Sequence, residues 1–133
     1  MQRTKFRIDG KTANAVRELL KSDAESRIYL YLLRKNGAKS DDIIKGTKLH
    51  PSTVRELLSK MHSQRLIYRE KLKNDNIGKN PYLYYAAPPR ILLRRYIGEI
   101  EQKLNKIANL CKTELNNQVQ QVHITFHEQG GEP

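Results

Sequence analysis

Few residues in this chain are placed to do covalent or metal chemistry. The four histidines (His50, His62, His123 and His127) and the single cysteine, Cys111, are the first to test, and they form no catalytic constellation. There is no phosphate-cradling glycine motif and no nucleophile elbow. His123 and His127 are four apart, a spacing that holds a metal on a helix, but Val122, Ile124 and Phe126 alternate as in a strand and no third ligand lies nearby. No catalysis, metal or cofactor is therefore expected. Cys111 reads as a small apolar residue on a helix, with a redox-sensing thiol as the alternative.

The remaining chemistry is that of polar side chains gathered on one surface. In "LHPSTVRELLSKMHSQRLI", residues 49–67, Val54, Leu57, Leu58 and Met61 recur at helical spacing and must pack inward. His50 can cap this helix and Pro51 suits its first position, where a missing N–H costs nothing. At roughly 100° per residue, the opposite side carries Ser52, Glu56, Ser59 and Ser63, flanked by Thr53, Arg55 and Lys60. Such a face is either an ordinary solvated surface or a hydrogen-bonding surface for a partner.

Charge bears on that choice. The chain has 133 residues, 25 Lys plus Arg against 14 Asp plus Glu, and a formal net charge of +11, which attracts polyanions. The excess is +5 over residues 1–35, +5 over 36–87 and only +1 over 88–133. The basic surface thus belongs to the first two parts. One cysteine excludes an internal disulfide, no leader pattern opens the chain, and no apolar run approaches the roughly 20 residues that cross a bilayer. A cytoplasmic protein that does not span a membrane is expected.

The elements that position the polar face follow from periodicity and capping. An arm bearing Arg3, Lys5 and Arg7 leads to a helix over about Thr12–Lys21. "SDAE" forms a capping box, Ser22 with Glu25, for a second helix ending before Gly37, with Ala24, Ile28, Tyr31 and Leu32 inward. "SDDIIKG" signals a short third helix, capped by Ser40 and ended with the help of Gly46. The stretch of residues 49–67 then supplies a fourth helix after the turn at "GTKL", which describes a helix-turn-helix. "LIYREKLK" and "PYLYYAAP" enclose the turn-forming "NDNIGKN" and make a β-hairpin, with Lys71, Lys73, Asn76, Lys79 and Asn80 on or near its tip. A helix-turn-helix followed by such a hairpin is a winged helix. The alternative for those lysines is protection of an exposed strand edge.

From "PPR" the chain turns helical again. Leu93, Ile97, Ile100, Leu104, Ile107 and Cys111 are spaced as a heptad seam, continued less regularly through Leu115, Val119 and Val122. A narrow seam on a long helix is buried against a second copy, or by folding back on its own domain. The organisation expected is an arm and winged helix over 1–88, a long dimerisation helix over 89–122, and a tail over 123–133 without assignment. The fold class is mainly α with a small β-hairpin wing.

With these pieces in place, the run from "ESRIYLYLLRKNGAKSDDI" through "STVRELLSKM", "QRLIYRE" and "YYAAPP" resembles the winged-helix domain of archaeal TrmB-like and MarR-like transcriptional regulators. The likeness spans about residues 12–110 and consists of residue-type patterns. It implies that the fourth helix, inside residues 49–67, is a recognition helix in the major groove, with the wing on the minor groove or backbone. TrmB-type regulators often carry a large C-terminal sugar-binding domain, which this sequence does not continue into, so a sugar effector is not implied and any small-molecule effector stays unassigned. Beside the resemblance, basic arm and wing residues suit phosphates, Arg55 suits guanine, Ser52, Thr53 and Ser59 suit bases or phosphate, and Glu56 suits cytosine N4 or an ion pair with Arg55 or Lys60. The expectation is a homodimeric, sequence-specific regulator on double-stranded DNA. Its alternatives are a non-specific chromatin-organising protein and a winged helix used as a protein-interaction module in a transcription or RNA-processing assembly.

Overall fold

The apolar stripes of the first four helices meet in one core. The computed structural model describes residues 7–72, 82–111 and 121–127, and the chain divides into two compact units, Met1–Pro88 and Pro89–Pro133.

In the first unit four helices precede a hairpin: α1 (Gly10–Leu20), α2 (Asp23–Arg34), α3 (Ser40–Thr47), α4 (Pro51–Ser63), β1 (Ile67–Lys71) and β2 (Tyr82–Ala86). Asp9 caps α1 by accepting the Thr12 N–H at 2.7 Å, so the helix opens two residues ahead of the predicted start. Ser22 caps α2 by accepting the Glu25 N–H at 3.2 Å. That helix is the centre of the unit: Ile28, Tyr29, Leu30 and Leu32 are buried, together with Ile43 of α3, Val54 and Met61 of α4, and Ile67 of β1. Burial on more than one side of α2 exceeds the single stripe expected, because helices and hairpin pack around it. Tyr29 brings a polar tip into this core and donates its hydroxyl to the Ala87 carbonyl at 2.7 Å, which ties α2 to the end of the hairpin.

Two sequence expectations for α3 change. Ser40 is not its cap but its first residue, and is buried, while Lys39 holds the cap position without a side-chain hydrogen bond. The reason lies just upstream: Ala38 exchanges backbone hydrogen bonds with Tyr84 at 3.0 and 2.8 Å, and this bridge fixes where the chain enters the helix. Gly46 does not end α3 either. The helix closes on Lys48 in the left-handed conformation (φ 60), and Gly46 instead admits the Tyr31 ring, which a Cβ at that position would overlap.

The hairpin is antiparallel, with Ile67 opposite Ala86, Arg69 opposite Tyr84 and Lys71 opposite Tyr82. Gly37, at φ 99, sits where a Cβ would press on the Tyr85 ring at 2.7 Å. The connection between α2 and α3 therefore lies directly against the second strand.

The second unit contains α5 (Pro89–Ala108), a 3-10 turn (Asn109–Cys111) and the segment 121–127. At 20 residues α5 is roughly 30 Å long. The continuous helix expected to residue 122 is not formed: Val122 lies outside any helix and beside the middle of α5. Asn105 accepts the Val122 N–H at 2.6 Å and donates to the Val122 carbonyl at 3.1 Å, while Glu101 accepts the Ile124 N–H at 3.0 Å. Four residues of helix and two of extended chain both rise about 6 Å, so the segment runs antiparallel to α5. Val122, Ile124 and Phe126 are half-buried and His123, Thr125 and His127 exposed, the alternation seen in the sequence. The two side chains of α5 act as a backbone partner would, and this outweighs the helical continuation that the spacing of four had suggested.

Candidate nucleic-acid interface

The start of α4 is fixed by its cap. His50 Nδ1 accepts the Ser52 N–H at 3.2 Å and lies 2.8 Å from Ser52 Oγ, so the imidazole proton belongs on Nε2. Pro51 occupies the first turn. Val54, Leu58 and Met61 are buried and Leu57 is half-buried, which locks the rotation of the helix about its axis.

That rotation presents Ser52, Arg55, Glu56, Ser59, Lys60 and Ser63 to solvent, with Thr53 half-buried at the edge. Among the described residues Arg55, Glu56 and Ser59 form no side-chain hydrogen bond or ion pair. Ser63 is partly used, donating its hydroxyl to the Lys60 carbonyl at 2.7 Å, and keeps its lone pairs. The i, i+4 pair that Glu56 and Lys60 could make is not formed. Lys60 Nζ instead lies 3.1 Å from Glu25 Oε2 of α2. The face thus offers one guanidinium, one carboxylate and hydroxyls in a row, donors and acceptors of the kinds that match groove edges.

On the hairpin, Lys71 is exposed at the end of β1. Lys73, Asn76, Lys79 and Asn80 of the wing lie outside the described residues, as do Arg3 and Lys5 of the arm; Arg7 is described and exposed. The structure adds Arg69, which sequence reasoning passed over. Its guanidinium lies 4.3 Å from the centre of the Tyr82 ring, and the pairing register puts it on the same face as Lys71, Tyr82 and Tyr84. The alternation of "YREK" held that signal, since residues two apart in a strand share a face. Tyr68 and Tyr85 stack on the opposite face with centroids 5.4 Å apart.

In the second unit Leu93 and Leu104 are each 39% exposed and Ile107 61%, while Ile97 and Ile100 are half-buried. Leu110, at 83%, was not among the seam residues. Cys111 ends the 3-10 turn, and Leu115 falls outside the described residues. Among the described residues no cluster of three or more His, Cys, Asp or Glu side chains is arranged to hold a metal, and no helix is long and apolar enough to cross a membrane.

Comparison with known proteins agrees with this architecture. A family model described as "Sugar-specific transcriptional regulator TrmB" matches residues 22–90, from the cap of α2 to the start of α5. A possible transcriptional regulator from Methanosarcina mazei Go1 superimposes with a TM-score of 0.59 at 20% identity, covering 84% of this chain and 99% of that one. The S. aureus MepR–DNA complex gives a TM-score of 0.47 at 23% identity, covering 77% and 86%. No curated protein matches.

Proposed function

The chain belongs to the TrmB family of transcriptional regulators, a family of winged-helix proteins and not of enzymes, and from that premise we propose that it acts as a homodimer binding specific double-stranded DNA sites. The observation that carries the DNA reading is the outward face of α4. Its hydroxyls, Arg55 and Glu56 point to solvent, on a helix held by a buried stripe and a capped start. In this reading α4 enters the major groove, and Arg55, Glu56, Ser52 and Ser59 address base edges. Arg69, Lys71 and the lysines and asparagines of the wing address the backbone or the minor groove, and Arg3, Lys5 and Arg7 extend the phosphate contacts.

The dimer reading rests on α5. Leu93, Leu104 and Ile107 leave apolar surface in water along one line of the helix, and a second copy covers such a line by presenting the same line in return. Residues 121–127 flank the helix along Glu101 and Asn105, to one side of the line that Leu93, Leu104 and Ile107 expose.

Selecting bound fragments from a genomic library, with salt varied in parallel, tests the whole reading. A recurring site with salt-dependent affinity supports it. Uniform recovery of all fragments would move the protein to a non-specific architectural role, and the absence of salt-dependent duplex binding would leave a protein-interaction module.

A further inference from the structure

We propose that Glu25 and Lys60 form a clamp that sets the pose of α4 on α2, so that Lys60 is a positioning residue and not a phosphate contact. This rests on the DNA-binding reading and adds what fixes the angle at which the helix meets its site. Glu25 is the third residue of α2, where a capping box would turn its carboxylate back onto the Ser22 N–H. Here Ser22 caps the Glu25 N–H, Ser26 is fully buried with its hydroxyl donated to the Ser22 carbonyl at 2.7 Å, and the Glu25 carboxylate faces α4.

Only 10% of the Glu25 side chain is exposed, against 52% of Lys60. A carboxylate so covered needs a donor, and the Lys60 ammonium supplies it at 3.1 Å across 35 residues of sequence. By the helical wheel Lys60 falls on the flank of α4 next to Thr53, about 140° from Arg55 with Glu56 between them, so the ammonium is drawn toward the protein side of the interface. The hydrophobic stripe fixes rotation of α4 about its axis. The Lys60–Glu25 tie near its C-terminal end adds a second, directional restraint that joins α4 to the start of α2.

The test uses the full chain and four variants, Lys60→Gln, Lys60→Arg, Glu25→Gln and the double Glu25→Gln/Lys60→Gln, on a selected site and a shuffled duplex over a salt series. Lys60→Gln and Glu25→Gln each lower the ratio of specific to shuffled affinity on the order of tenfold, with the salt slope of the parent kept. Glu25→Gln is the sharper arm, because losing a negative charge would by electrostatics alone tighten DNA binding. Lys60→Arg keeps the ratio, and the double variant, with two amides able to hydrogen-bond, regains most of it.

A Lys60→Gln slope lower by about 0.9, with Glu25→Gln unchanged or tighter on both duplexes, overturns the clamp and makes Lys60 a phosphate contact. Thermal melting of the same proteins separates the clamp from the DNA reading. If the parent binds no duplex, that reading fails, while non-additive melting shifts of the two single variants still support the clamp. Additive shifts overturn it whatever the DNA result.

Discussion

Individual side chains divide sharply by what they touch. Arg55 has no partner in its own chain among the described residues, so Arg55→Ala is expected to leave stability unchanged and to weaken the selected site by about 1–3 kcal/mol, with little effect on shuffled duplex; titration of both duplexes checks it. Lys71→Ala, like Lys73→Ala and Lys79→Ala, should weaken both duplexes alike and reduce the salt slope by about 0.9 each. Tyr29 is a core residue with a titratable tip. Burial holds its phenol well above the ordinary value near 10, so the unfolded state ionises first as pH rises. Its contribution is complete below about pH 10 and is lost as pH climbs toward the folded value. Tyr29→Phe should cost about 1–3 kcal/mol at pH 8 by orphaning the Ala87 carbonyl. It should also flatten the fall in stability above pH 10, as urea denaturation at several pH values would show.

Among the elements, the hairpin and the loop before α3 depend on one another. Gly37 combines a left-handed φ of 99 with close contact to Tyr85, so Gly37→Ala is expected to destabilise the first unit by roughly 1–3 kcal/mol, measured by chemical denaturation. This position was visible in the sequence only as a residue after a helix. Its reason, the ring of Tyr85 on β2, required the strand to be docked. The helices themselves were legible, because burying a stripe at intervals of three and four is a local demand that residue types state directly. The ends were less so. Ser40 and Gly46 carry the letters of a cap and a stop, yet the Ala38–Tyr84 bridge and the Tyr31 ring assign them other work.

For the whole molecule, assembly is the property to test first. If α5 pairs with its own copy, Leu104→Asp/Ile107→Asp should halve the mass seen by light scattering at micromolar concentration, and the weaker avidity should lower affinity for a two-half-site duplex far more than for a half-site. A parent that is monomeric under those conditions would remove the seam from the account. The sequence by itself determined the element types and order, the polar face of α4 and the apolar line on α5, all of which are written in periodicities a few residues long. It also placed the excess charge in the first two parts of the chain. Tertiary structure alone decided that Lys60 answers to Glu25 and not to Glu56, that Arg69 lies over Tyr82, and that residues 121–127 turn back along α5. Those outcomes join residues 35, 13 and 17 positions apart. No local pattern specifies such pairs, because they depend on which buried or backbone group is left wanting a partner once the elements have packed.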